Sequence, residues 1–240
     1  IFPPNCFRCP YEKKYPACGC YCAKILDTVI KMEGPETVAG FYMEPISNTG
    51  GIIVPPQEYF QIVREICSEH KVMLVFDEII TGIGRTGNWF ASQTFKVTPD
   101  VICAGKGLGG GYIPITGIFF RDDIADAFWG GEDVKFNHGH TYGGNPVAAA
   151  AALAVISEIE ENNLLEKTRK SGEYLRNQLK ERLSSFGIVG DIRGKGLLVG
   201  IEFVEDIKTK KPFPAERNFG KEIEKRAIRK GLSGTGTGHR

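Results

Sequence analysis

The sequence predicts an α/β layered fold with a mostly parallel sheet, on three observations. Short apolar runs fit for buried strands alternate with stretches of helical periodicity. Three of these runs lead straight into a carboxylate or a glycine-flanked lysine. After residue 145 the pattern changes to long helices and then short strands. Strand–helix alternation is the pattern of a parallel sheet, and the later stretch reads as a smaller α+β unit.

Residues 41–43 form the heart of a first strand, which ends at Glu44-Pro45. Residues 57–70 read as a helix, with Phe60, Val63 and Cys67 recurring at the spacing of one face. Residues 72–76 are continuously apolar, as in a strand covered on both faces, and Asp77-Glu78 follow. Residues 101–104 repeat the pattern and lead into Gly105-Lys106-Gly107, and residues 115–120 supply another run. An alanine-rich helix is expected to end near 161. A second, over 165–186, carries Leu175, Leu179 and Leu183 on one face. Short strands over 187–204 surround Arg193-Gly194-Lys195-Gly196, and 215–230 is again helical. The expected division is a large unit over 1–160 and part of a small one over 161–240.

Composition sets the outer limits. With 240 residues, 42% hydrophobic and 25% charged, the chain has an ordinary globular make-up. A net charge of +1 gives no broad electrostatic reason to expect nucleic acid as a partner. The longest apolar stretch, 146–156, falls well short of the ~20 residues a membrane span needs. No charged-then-apolar leader opens the sequence, so a cytoplasmic address is expected. Of seven cysteines, Cys6, Cys9, Cys18, Cys20 and Cys22 crowd the N-terminal end. Cys6 and Cys9 have C-x2-C spacing, but the others form C-x-C-x-C and complete no zinc-ribbon pattern. Reduced thiols lining an irregular segment are expected there, with a metal module as the rival. Cys67 and Cys103 sit in apolar runs and read as small core residues. The closing run, 233–240, has no periodicity.

In parallel sheets, functional residues gather beyond the carboxyl ends of the strands, where Glu44, Asp77 and Lys106 all fall. A poorly solvated lysine becomes a usable amine nucleophile, and flanking glycines let a bulky group approach the backbone. A carboxylate closing an apolar strand needs a cationic or hydrogen-bonding partner. The apolar run before Asp77-Glu78 also fits a Walker B strand. That reading requires G-x-x-x-x-G-K-[ST], which the glycine–lysine pairs at Gly105, Gly194 and Gly220 do not complete. Two matches to G-x-G-x-x-G, beginning at Gly82 and Gly105, open no helix and carry no nucleotide signal. His138 and His140 flank a loop before a helix. Such a loop can hold phosphate on backbone donors and Thr141, cap the helix, or contribute to a metal site.

Taken together, the stretches Asp77-Glu78-Ile79-Ile80-Thr81-Gly82, Ala104-Gly105-Lys106-Gly107-Leu108-Gly109-Gly110 and His138-Gly139-His140-Thr141-Tyr142-Gly143-Gly144-Asn145-Pro146 resemble the class III (omega) aminotransferases. These are pyridoxal 5′-phosphate (PLP) enzymes of fold type I, in which helices cover both faces of the large-domain sheet. The resemblance implies that Lys106 bonds the cofactor covalently and later shuttles the substrate Cα proton. It implies that Asp77 pairs with the ring nitrogen and that Ile79 packs on a ring face. Thr141 would reach the phosphate in a neighbouring subunit, making a homodimer or higher homo-oligomer the active form. Glu44 and Arg85 would support the hydrogen-bond network.

Two positions depart from the family pattern. Ile80 stands near the cofactor where many members have glutamine, and Thr49 replaces the gating glutamate of ornithine- and GABA-type members. The family's phosphate-binding glycine–serine segment, its ring-stacking aromatic and its substrate-carboxylate arginine have no counterpart in these 240 residues, so the chain is expected to be a fragment. The implied reaction is ping-pong transfer of an amino group from an amine or amino acid to a keto acid such as pyruvate or glyoxylate. Racemisation or an aminomutase step on the same scaffold is one rival. A non-catalytic fragment that only binds or dimerises is another.

Overall fold

Four strands build one sheet in chain order: β1 (Gly40–Met43), β2 (Met73–Asp77), β3 (Val101–Ala104) and β4 (Gly117–Phe120). The computed structural model describes residues 1–129, 134 and 136–234. Most of the closing run that lacked periodicity therefore lies outside the described residues. β1, β2 and β3 run parallel, and β4 returns antiparallel along β3.

The connection from β1 to β2 carries helix α2 (Gln57–Glu69), which follows α1 (Tyr21–Glu33) in the chain. Tyr59, Phe60, Val63, Ile66 and Cys67 make the buried stripe of α2, at the three-to-four spacing read from the sequence. Ala23, Leu26 and Ile30 do the same for α1. The sequence reading treated this N-terminal region as irregular, because its cysteine spacing stood out more than the short apolar stripe behind it. α1 packs on α2, α2 packs on β2, and the stripes of both helices share one buried cluster with Leu74 and Phe76. Phe60, fully buried, stacks on Phe95 at 3.9 Å between centroids and meets Phe76 edge-on at 6.1 Å. Burying such a side chain contributes about 1.5–3 kcal/mol, so this aromatic cluster ties α2, β2 and α3 (Ala91–Phe95) together.

The continuous apolar run of β2 is buried on one side only among the described residues. Its burial alternates: Leu74 and Phe76 face the helices, while Met73 is 40% exposed. Register pairs place Tyr42, Val75, Val101 and Phe120 in one row on the other face, with Asp77, Cys103 and Ile118 in the next row. Tyr42, Ile118 and Phe120 are exposed there. The apolar run predicts cover on both faces, and among the described residues only the helix side supplies it. For the same reason Cys103, expected in the core, is only half-buried, whereas Cys67 is fully enclosed.

Two buried carboxylates fix the sheet. Asp100 accepts from the Leu74 N–H at 2.7 Å and Arg64 Nη1 at 2.8 Å, and it also pairs with Arg121 at the start of α4 (Asp122–Asp126). Glu78, just past β2, accepts from the N–H groups of Ala91 at 2.5 Å and Ser92 at 2.8 Å and from Thr81 Oγ1 at 3.0 Å. Burial pushes the Glu78 carboxyl above the ordinary carboxylate range, against hydrogen bonds that pull it down.

The remaining elements are α5 (Pro146–Glu161), α6 (Leu164–Leu183), the hairpin β5 (Val189–Lys195) and β6 (Leu198–Phe203), and α7 (Phe219–Arg229). Gly196 turns the hairpin at φ +55°, where an added methyl would fall 2.5 Å from the Arg85 carbonyl oxygen. The turn is held there by Arg176 Nη1 donating to the Gly196 carbonyl at 2.7 Å. Arg193 reaches from β5 to the Gly51 carbonyl at 2.9 Å and to Glu202 at 2.7 Å. Among the described residues no helix is long and apolar enough to cross a membrane.

The position of Glu78 gives a test. Its folded-state pKa is raised, so its contribution to stability is fullest below the unfolded-state pKa and shrinks as pH rises through the folded value. Glu78→Gln should flatten that part of the pH dependence of urea-unfolding midpoints. Glu78→Ala strands two buried amide donors and should cost about 1–3 kcal/mol at every pH.

Candidate active site

The parallel register brings three strand ends to one edge of the sheet. Met43 stands opposite Phe76 and Asp77 opposite Cys103, so Glu44, Asp77 and the turn holding Lys106 follow one another across it. The Glu78 N–H donates to the Cys103 carbonyl at 2.9 Å and carries the β2–β3 pairing one residue further.

Both carboxylate oxygens of Asp77 are anchored. Oδ1 accepts from the Ile79 N–H at 3.1 Å, and Oδ2 accepts from the Tyr42 hydroxyl at 2.9 Å. Partial burial and the Asp77 acceptor together push the Tyr42 phenol well above its ordinary range. Burial raises the Cys103 thiol as well, and the charge on Asp77 adds to it. Tyr42 was not singled out in the sequence. The signal was available, because the two-residue period puts position 42 on the face that β2 presents through Val75 and Asp77.

Lys106 opens a short 3-10 turn, Lys106–Gly109, at φ +42°, a left-handed conformation costly for a residue with a side chain. Its side chain is exposed among the described residues, not poorly solvated as the sequence reading supposed. Gly105 before it is crowded: an added methyl would lie 3.3 Å from Thr116 Cγ2 and 3.7 Å from Ile79 Cγ1. Ile79 and the lysine turn therefore border the same space. Ile80 points elsewhere and packs against the hydrophobic core.

Glu44 Oε2 accepts from the Asn48 N–H at 3.2 Å and closes its own loop. Arg85 contributes its carbonyl, which accepts from the Leu197 N–H at 3.1 Å, while its side chain is exposed. Thr141 is exposed, and its hydroxyl makes no hydrogen bond among the described residues. The helix after it is capped instead by Asn145 Oδ1, which accepts from Val147 N at 2.9 Å and Ala148 N at 3.2 Å, with Pro146 in the first turn. The His138 and His140 rings meet edge-on at 4.7 Å. Among the described residues no group of three histidine, cysteine or acidic side chains is arranged to hold a metal ion. The five N-terminal cysteines are free and line one small cavity of about 20 Å³, where burial pushes the Cys22 thiol up to about 11.

An accessible amine on a strained turn, an oriented carboxylate one strand away and a branched apolar side chain between them form a donor set. It suits a flat, cationic, carbonyl-bearing cofactor. A family model described as "Aminotransferase class-III" matches residues 2–240. The chain belongs to that family. Class III aminotransferases use PLP, and the donor set fits it.

Three relatives give the range of likeness. A leucine/methionine racemase from Thermococcus litoralis is 41% identical over 86% of this chain and 46% of its own length. A taurine–pyruvate aminotransferase from Bilophila wadsworthia is 40% identical over 88% of this chain and 48% of its own. A PLP-bound amine transaminase from an uncultivated Pseudomonas species superposes with a TM-score of 0.94, at 36% identity, covering 98% of this chain and 54% of that one. The chain thus spans about half the length of the relatives it matches.

The lysine turn can be probed through Gly110, which ends it at φ +60°. A methyl there would sit 2.8 Å from Val155 Cγ2 on α5 and 3.2 Å from the Tyr112 ring. Gly110→Ala combines a left-handed backbone with that clash and should lower stability by about 1–3 kcal/mol, measured by urea unfolding.

Proposed function

We propose that the whole protein is a PLP-dependent transaminase that passes an amino group from an amine or amino-acid donor to a keto acid such as pyruvate or glyoxylate. The reaction would run in two half-reactions, the donor leaving as a carbonyl compound before the keto acid binds. The observation that carries this reading is the pairing of an exposed Lys106 with an Asp77 carboxylate anchored at both oxygens on the neighbouring strand. PLP, when bound, supplies an aldehyde for a lysine amine and a ring that takes up carbanion charge.

The residues of the chain account for the rest. Lys106 Nζ would hold the cofactor covalently through its aldehyde and, when released, would serve as the amine that carries a substrate proton. Asp77, whose two oxygens are anchored by Ile79 and Tyr42, would accept from the ring nitrogen of the cofactor. Ile79 would supply an apolar surface that excludes water from one ring face, while Ile80 packs into the core and is not placed to contact the ring. Glu44 holds the loop over 44–48 in place. Thr141, whose hydroxyl makes no hydrogen bond among the described residues, lies in an exposed loop and would suit a phosphate across a subunit boundary, so the active form is a homodimer or a larger homo-oligomer. The boundary between large and small units falls near residue 160, where Asn162 and Asn163 break α5 from α6.

Racemisation is the second reading, and the likeness to a leucine/methionine racemase favours it. It needs the same lysine and aspartate but no keto acid. Turnover of the full-length protein should depend on added pyruvate or glyoxylate, with one carbonyl product formed per amine consumed. Inversion of an amino acid in the absence of keto acid would replace transamination with racemisation. Borohydride reduction followed by peptide mapping should leave a single label, on Lys106. Lys106→Ala should lose the label and at least about a thousandfold in turnover, since it removes both the covalent anchor and the proton carrier.

A further inference from the structure

We propose that Tyr42 is a positioning residue for the cofactor and acts through Asp77: its hydroxyl fixes the carboxylate in the orientation that meets the ring nitrogen. This rests on the reading of Asp77 given above.

The geometry follows from the ladder. Tyr42 pairs with Val75, and a period of two places Val75 and Asp77 on the same sheet face. From that position the tyrosine ring runs along the face, and its hydroxyl lies 2.9 Å from Asp77 Oδ2. A carboxylate only accepts hydrogen bonds, so the phenol is the donor. The terminal torsion of an aspartate is broad and roughly two-fold, so one hydrogen bond does not hold its plane. The Ile79 N–H at Oδ1 supplies the first anchor and Tyr42 the second, leaving the outer lone pairs of the carboxylate for a cation.

Two other titratable groups lie beside Asp77. Cys103, opposite it on β3, has its thiol raised by burial and lowered by a hydrogen bond with the Tyr42 hydroxyl, so it touches the same phenol and offers Asp77 no charge to pair with. Glu78, next in the chain, turns its carboxylate away to Ala91 and Ser92. Packing gives no reason for a hydroxyl at position 42, because the side chain is 57% exposed and valine or phenylalanine would serve the strand equally well. The hydrogen bond is what sets tyrosine apart.

The experiment is a double-mutant cycle on full-length protein, read by the dissociation constant for PLP and by the pH midpoint of the visible band of lysine-bound cofactor. Tyr42→Phe keeps the ring, and an unchanged circular dichroism spectrum and melting temperature would verify folding. It should weaken PLP binding about tenfold, as expected for losing a charge-assisted hydrogen bond, and move the midpoint of the band. In an Asp77→Asn background the same change should alter binding less than twofold, because the carboxylate it positions is gone. Binding by Tyr42→Phe within twofold of wild type would overturn the proposal. So would a tenfold loss that persists beside Asp77→Asn, since Tyr42 would then act on something else. In both outcomes the wild-type band and its Lys106 label remain, and the reading of the site stands. A wild-type protein with no visible band would remove that reading, and this proposal with it.

Discussion

The parallel pairing of β2 with a neighbour on each side is the constraint on which the rest depends. Parallel strands bring like ends together, so whatever follows each strand arrives at one edge of the sheet. β1 delivers Glu44, β2 delivers Asp77 and β3 delivers the lysine turn. Slipping β2 by one residue would send Asp77 to the helix-covered face and bring Phe76 out onto the open face. Burial of Leu74 and Phe76 beneath α1 and α2 resists that slip. Asp100 locks it from the opposite end by accepting from the Leu74 N–H. The core that stabilises the fold and the carboxylate that serves the site are thus set by alternate residues of one five-residue strand.

The segment after β2 divides two jobs between adjacent acids. Asp77 stays at the sheet edge, half-buried, with both oxygens anchored and lone pairs to spare. Glu78 is fully buried, and all three of its hydrogen bonds are spent on Thr81 and the start of α3. Burial costs a carboxylate its hydration, so the enclosed one must be satisfied by the chain itself. The half-exposed one can hold capacity for a ligand. Environment, more than residue type, separates the candidate site carboxylate from the structural one.

How much of this the sequence disclosed depends on which physical signal each feature leaves. The strands around Asp77 and Lys106 were legible because continuous apolar runs and glycine flanks are local. α2 and α5 were legible because their stripes or composition persist for three turns or more. α1 was missed behind its cysteines. α3 and α4 were missed because five residues are too few to display a period. The open face of the sheet was not legible at all, since an apolar run reads the same whether one face of a strand is covered or both. The same holds for the exposure of Lys106. At Asn145 the letters announced a cap before a helix, and the hydrogen bonds form as the spacing demands. Tyr42 left only a parity clue, which becomes useful once the β1–β2 register is known.

Tyr42, Ile118 and Phe120 face away from the side of the sheet on which Leu74 and Phe76 are buried, and Lys106 on its turn and Thr141 in its loop are exposed as well. Apolar side chains on a sheet face are stabilised by burial, and a lysine nucleophile gains reactivity when water is excluded around it. Covering this face would meet both needs at once. Cover over Ile118 and Phe120 that also reached the strand ends would enclose the Lys106–Asp77 pair. Packing on the sheet and exclusion of water from the candidate site would then be coupled, because both depend on the same surface.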